Sequence, residues 1–178
     1  MVAEVMGRHV GWIALHAGMA AGAHAICIPE VPMSIDDITA LVSSAHDRGR
    51  APLVVVSEGF KLLGMDEAYS DKGLDAFNRP RLGGIGDQLA PAIERITGIE
   101  TRATILGHIQ RGGSPSAFDR VLATRLGLHA ADAIVEKAWG QMVAMQGTDI
   151  VRVPFAEALG ELNTVPRSRY DEAAALFG

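Results

Sequence analysis

Arg102-Ala103-Thr104-Ile105-Leu106-Gly107-His108-Ile109-Gln110-Arg111-Gly112-Gly113-Ser114-Pro115-Ser116 is the stretch on which the fold turns. Ala103 to Leu106 is an apolar, β-branched run of strand length, ended by Gly107, and an amphipathic helix is predicted after Pro115. A buried strand that passes through a loop into a helix is the repeating half of an α/β sheet. Ligands of open α/β sheets bind at the carboxyl edge of the strands, where this loop would lie. The loop carries guanidinium, imidazole and amide groups. Arg111 can fork two hydrogen bonds onto a phosphate, His108 can add a third, and Gly112-Gly113 let the backbone approach closely. A helix starting near Ser114 or Ser116 adds unpaired amides suited to an anion. The residues alone also allow a plainer reading, a glycine-rich turn with two surface polar side chains.

Upstream, strand and helix patterns alternate. Val2 to Met6 is strand-like and leads to a helix over about Gly11 to Ala21, then to a strand at Ala25 to Ile28 stopped by Pro29. The next helix is capped by Ser34, with Asp36 and Asp37 in its first turn and Arg48 and Arg50 near its end, an order that complements the helix dipole. Pro52 to Ser57 is the third strand. Glu58 to Gly84, rich in Gly, Asp and Lys, is too polar for core and is expected to be an exposed loop or flap. Ile85 to Ile96 places Ile85, Leu89, Ile93 and Ile96 on one side of a helix, and Thr101 to Leu106 is the fourth strand. Downstream come a long helix over Ser116 to Ala138, a strand pair at Met142 to Met145 and Ile150 to Pro154 across Gln146-Gly147-Thr148-Asp149, a short helix and a helical tail, Tyr170 to Leu176. Uninterrupted apolar strands alternating with helices predict an α/β fold, a parallel sheet covered on both faces.

With 178 residues, 48% of them hydrophobic and 21% charged, the chain can bury a core. A net charge of -5 disfavours a nucleic-acid or anionic-membrane surface, so clustered Arg residues read as a local anion site. The single Cys27 excludes an internal disulfide and fits either a reduced compartment or a small buried side chain. Val10 to Ile28 contains no Asp, Glu, Lys or Arg, yet it carries His16, His24 and glycines, and its period changes from helix-like to strand-like. A buried helix followed by a buried strand explains it better than a membrane span. No basic leader precedes it, which argues against a secretory signal.

Several patterns fail on chemistry. Gly83-Gly84-Ile85-Gly86-Asp87 lacks the third Gly and the preceding strand of a dinucleotide fingerprint and reads as a helix-start loop; no Walker A sequence occurs. Ser114, His108 and Asp119 do not make a hydrolase triad, because no nucleophile-elbow sequence surrounds Ser114 and Pro115 follows it. The six His residues show no metal-ligand spacing, and Asp66, Glu67 and Asp71 lack that of a calcium loop.

Three segments carry a family resemblance. Arg102 followed by Gly107-His108-Ile109-Gln110-Arg111-Gly112-Gly113 and then Asp119-Arg120 resembles the signature of the 6-phosphofructokinases, most closely the bacterial ATP-dependent type. Glu4-Val5-Met6-Gly7-Arg8-His9-Val10-Gly11 resembles that family's strand-to-helix segment at the sugar phosphate, and Val54-Val55-Val56-Ser57-Glu58-Gly59 resembles the strand ending in its sugar-binding glutamate. The resemblance covers essentially the whole chain and implies a parallel-sheet three-layer sandwich of the phosphofructokinase type. It implies that His108 and Arg111, with Ile109 backbone and Gln110, hold the 6-phosphate of fructose 6-phosphate, and that Arg102 reaches the site of a neighbouring subunit in a homo-oligomer, a tetramer. Glu58 would accept bonds from sugar hydroxyls, Met6 and Gly7 would pack on the sugar, and Arg8 would stabilise the transferring phosphoryl group. For the last two charged positions the plainer alternatives are a strand-end carboxylate facing water and a salt bridge where a helix starts.

The resemblance also implies ATP and Mg2+ as donor and cofactor, a cytoplasmic location and a place in glycolysis. It divides the chain into a sugar-phosphate-binding domain, 1–106, a grip loop with long helix and strand pair that return to the nucleotide side, 107–155, and a helical segment, 156–178. The family's catalytic aspartate, its neighbouring threonine and the donor loops precede the Met-Gly-Arg motif, so the chain is expected to be a carboxyl-terminal portion, roughly half, of a longer enzyme. Two features depart or stay open. Where many bacterial members have an acid that binds an effector's metal, this chain has His24, and the residues that choose between ATP and pyrophosphate would lie upstream. Beside the kinase reading stand a non-catalytic sugar-phosphate-binding or subunit-interaction domain and, more distantly, a hydrolase.

Overall fold

Val2–Val5 (β1), Ala25–Cys27 (β2), Val54–Ser57 (β3) and Ala103–Ile105 (β4) form a parallel sheet in the order β2-β3-β1-β4. This is a computed structural model that describes residues 1–64, 78 and 83–178. The expected flap therefore falls largely outside the described residues, as do Asp66, Glu67 and Asp71. Residues Met1–Arg111 and Thr164–Gly178 make one unit, and Gly112–Asn163 make a second.

The first unit is three-layered because strand side chains alternate between faces. Val2, Ala25, Cys27, Val54 and Val56 face one way and pack on helices α2 (Ile35–Asp47) and α3 (Ile85–Thr97) through Ile38, Val42, Ile85, Leu89 and Ile93. Val5, Ile26, Ile28 and Val55 face the other way, onto Ala14 and Leu15 of α1 (Trp12–Ala21) and Tyr170 and Ala173 of α6 (Arg167–Ala174). Each fully buried Ile or Leu contributes about 1.5–3 kcal/mol relative to exposure, so both faces are strongly fixed. The Tyr170 hydroxyl donates to Ile26 O at 2.9 Å and so ties α6 to β2. The α/β fold expected from the strand and helix patterns is the one observed.

Three burial expectations are corrected. The charge-free α1 buries only Ala14, Leu15 and Gly18, while Ile13 is 47% and Met19 37% exposed. A helix in an outer layer turns one side to the sheet, and lack of charge does not bury the other. β4 is also not a buried strand. It is the sheet's edge, so Ile105 and Leu106 are 42% and 37% exposed. In the second unit, α4 (Ala117–Val135) is not amphipathic: apolar Phe118, Val121, Leu128 and Ile134 are spread around it, and none of its residues is buried.

The cap signals act as chemistry requires. Ser34 and Ser116 each accept the backbone N–H of a residue three positions on, Asp37 or Asp119, whose carboxylate accepts the serine backbone N–H at 2.8 Å. The serine hydroxyls donate to the same carboxylates, at 2.7 Å for Asp37 and 2.8 Å for Asp119, and with the serine backbone N–H they hold both Asp carboxyls below their ordinary value. In the second unit β5 (Gln141–Gln146) and β6 (Asp149–Pro154) form the expected hairpin, with Gly147 at φ 63 in its turn, and α5 (Phe155–Ala158) follows. Burial pushes the Cys27 thiol up to about 12.

Candidate functional site

β1 and β3 end in register, Val5 beside Ser57, and β4 runs beside β1 with Ile105 opposite Glu4. Three strand ends therefore open on one edge, and each supplies a piece of the candidate site. Beyond β1 lies Met6-Gly7-Arg8, beyond β3 lies Glu58-Gly59, and beyond β4 the 3-10 turn Gly107–Arg111.

Side chains from two of these pieces grip the backbone of the third. Glu58 Oε1 accepts the N–H of Gly7 at 3.3 Å and of Arg8 at 3.1 Å. Gln110 Oε1 accepts the N–H of Met6 at 3.4 Å, while its Nε2 donates to Gly107 O at 3.0 Å. The Glu58 backbone N–H also donates to Val5 O at 2.8 Å. The sheet ladder thus continues into the loop through side chains. Gly7 is packed so closely that a Cβ there would lie 2.5 Å from Val10 O and 2.8 Å from Ser57 Oγ. Arg8 takes φ 50, a left-handed conformation costly for a side chain with a Cβ.

Of the residues singled out in the sequence, Met6, Gly7, Glu58 and Gln110 are half-buried and joined by these bonds, and Arg8 stands among them exposed. His108, Ile109 and Arg111 are exposed on the 3-10 turn, Ile109 at 76%. Arg102 is apart. It precedes β4, at the opposite end of the strand, and its guanidinium pairs with Glu100 at 2.8 Å in solvent.

Supporting residues escaped the sequence reading. Glu4, 2% exposed in the middle of β1, accepts the N–H of Gly84 at 2.9 Å and of Gly86 at 2.8 Å, capping α3 from within the sheet. An acid inside an otherwise apolar strand was the signal. Gly59 ends one of the segments that carry the family resemblance, with no role assigned to it there, yet a Cβ at this position would sit 1.6 Å from Arg8 O. Ser57 is fully buried, and its Oγ has no hydrogen-bond partner among the described residues.

The edge gathers an anchored carboxylate, a turn with an exposed imidazole and guanidinium, and the exposed Arg8, groups that can hold a small anion. A sequence model of the family described as phosphofructokinase matches residues 1–134. The chain belongs to the phosphofructokinase family. It is 53% identical over 178 residues to a pyrophosphate--fructose 6-phosphate 1-phosphotransferase of Amycolatopsis methanolica, with 100% of this chain and 52% of the relative covered. It is 50% identical over 179 residues to an ATP-dependent 6-phosphofructokinase of Mycobacterium tuberculosis, again covering 100% of this chain and 52% of that protein. The chain thus spans about half the length of the curated relatives it matches. Among solved structures, Pichia pastoris phosphofructokinase in the T-state superposes with a TM-score of 0.69 at 32% identity, over 99% of this chain and 20% of that one. The pyrophosphate-dependent phosphofructokinase of Marinobacter aquaeolei, at 21% identity and TM-score 0.72 over 99% of this chain and 47% of that one, shares the fold.

Proposed function

We propose that this chain supplies the sugar-phosphate side of a 6-phosphofructokinase, which transfers the terminal phosphoryl group of ATP to the 1-hydroxyl of fructose 6-phosphate and yields fructose 1,6-bisphosphate. The observation that carries the reading is the meeting of Met6-Gly7-Arg8, Glu58 and the Gly107–Arg111 turn at one carboxyl edge of a parallel sheet. His108 and Arg111, with Gln110 and the Ile109 backbone, hold the 6-phosphate, since a fork of guanidinium donors suits a dianion. Glu58 accepts sugar hydroxyls, and Met6 and Gly7 pack on the ring. Arg8 is the catalytic residue of this half. As the 1-hydroxyl oxygen bonds to phosphorus and the donor's bridging P–O bond breaks, its guanidinium stabilises the charge spread over the phosphoryl oxygens.

The proton of the attacking hydroxyl goes to a base beyond these residues. Among the described residues no three His, Cys, Asp or Glu side chains converge to hold a metal ion. On this reading Mg2+ and the phosphoryl donor belong to the rest of the parent enzyme. Arg102, at the far end of β4, serves a neighbouring subunit's site in a cytoplasmic homo-oligomer. Residues 1–106 form the sugar-phosphate-binding domain, 107–155 add the grip loop and then the long helix and strand pair that lead back to the nucleotide side, and 156–178 are the carboxyl-terminal helical segment. One observation favours a second donor: relatives of about equal similarity are described as pyrophosphate-dependent and as ATP-dependent, so pyrophosphate is the alternative phosphoryl donor.

The deciding experiment is Arg111→Ala in the intact enzyme. A charged phosphate contact contributes about 1.5–3 kcal/mol, so KM for fructose 6-phosphate rises about tenfold to a hundredfold while KM for the donor stays within about twofold. Equal rises for both substrates defeat the assignment. The chain by itself is expected to bind fructose 6-phosphate weakly, without turnover. Tight ATP binding in calorimetry would refute this division of labour.

A further inference from the structure

We infer that Glu58 is a positioning residue for Arg8 as well as a sugar contact, so that one carboxylate links recognition of the acceptor to placement of the guanidinium. The inference rests on the function proposed above.

Its basis is the way three successive amides are satisfied. Met6 N–H goes to Gln110 Oε1, and Gly7 and Arg8 N–H both go to Glu58 Oε1. Successive N–H groups converging on one acceptor form an anion-binding nest, and here the anion is the chain's own carboxylate. Arg8 holds a left-handed φ of 50, which an L residue with a side chain adopts only when its surroundings enforce it. Two features do so. The Glu58 oxygen draws the Gly7 and Arg8 N–H groups together, and Gly59, bare of a Cβ, lets the Arg8 carbonyl press onto β3's end. The backbone orientation of residue 8 sets the direction in which its side chain leaves the turn. Losing the oxygen therefore releases the guanidinium from its angle, although Glu58 itself touches no phosphoryl group.

A double-mutant cycle in the intact enzyme separates this from an ordinary structural cap. With Arg8 present, Glu58→Ala is expected to lower kcat by about tenfold or more, because misplacing a catalytic group by about 1 Å can cost a hundredfold. In an Arg8→Ala background the same change should lower kcat by less than about twofold, since nothing remains to be misplaced. KM for fructose 6-phosphate rises in both backgrounds. Glu58→Gln keeps an oxygen able to accept both amides, and its kcat should fall clearly less than that of Glu58→Ala although its KM rises as well. If Glu58→Ala fails to fold, the cycle is run with Glu58→Asp, whose shorter carboxylate withdraws from both amides: a loss of kcat that vanishes in the Arg8→Ala background supports the role, and one that persists there overturns it. Losses of kcat that multiply across the cycle, or equal kcat in the Gln and Ala variants, overturn the positioning role and leave the acceptor site standing. Unchanged kcat and KM in both single variants would overturn the proposed site together with the positioning role.

Discussion

Adding one methyl group at Gly59 is the most exacting test of the turn geometry. The Cβ of Gly59→Ala would sit 1.6 Å from Arg8 O, with Arg8 C at 2.7 Å, and both atoms are backbone. An ordinary contact needs about 3.4 Å, so the Met6–Arg8 turn or the end of β3 must retreat by roughly 1.5 Å or more. No rotamer change can absorb this. Overpacking typically costs about 1–3 kcal/mol, and a clash between two backbones belongs at the upper end, near 3 kcal/mol. For a chain of this size that lowers the melting temperature by about 6–12 °C. The retreat also stretches the bonds to Glu58, so fructose 6-phosphate binding, followed by calorimetry, should weaken beyond detection. Gly127→Ala is the control. In α4 its new Cβ meets nothing within 4 Å, and Ala in a helix interior gains about 1 kcal/mol over Gly. If Gly59→Ala melts within about 2 °C of the parent and binds sugar phosphate as well, the reasoning about this turn is wrong.

Three further outcomes follow from groups already described. Glu4→Ala leaves the Gly84 and Gly86 amides without their acceptor in a buried setting, and a urea titration should show a loss of about 3 kcal/mol, whereas a loss below about 0.5 kcal/mol would deny Glu4 its capping role. Asp37 and Asp119 have lowered folded-state pKa values, so the unfolded chain binds more protons and their stabilisation, full above the ordinary value of 3.8, fades as pH falls through the folded values. The difference in urea midpoint between the parent and Asp119→Asn should accordingly shrink below pH 3.8, and a difference that grows there contradicts the sign. Cys27, fully buried with its thiol pushed up to about 12, should resist a thiol-alkylating reagent at neutral pH until the fold is opened by urea; immediate labelling of the native chain would place it elsewhere.

What the sequence disclosed was local. Ser34 and Ser116 announced helix starts because a cap acts within three residues of itself, and Val54 to Ser57 announced a buried strand because its apolar run is unbroken. Met6, Gly7, Arg8, Glu58 and Gln110 were singled out through family likeness, which says nothing of how they bond to one another. The hidden part was set by partners distant in the chain. That β4 is an edge depends on β1 choosing it and β3 as its two neighbours, and exposure of Ile105 follows from that order. Glu58 reaches amides fifty residues away, and Gly59 looks ordinary until the Arg8 carbonyl is set against it. For α1, missing charges suggested full burial, but the period of the helix leaves Ile13 and Met19 on its outer side.

The return of residues 164–178 to the first unit governs the order of assembly during synthesis. Val165, Tyr170 and Ala173 belong to the core on the α1 side of the sheet, and Val165 N–H donates to Glu30 Oε1 at 3.0 Å. A ribosome delivers these residues only after all of Gly112–Asn163 has been made. Until then Ile26, Ile28 and Val55 lack part of their cover, and the growing chain carries an unfinished apolar sheet face through the translation of an entire unit. A pause in translation before codon 164 should therefore prolong exposure to chaperones and aggregation.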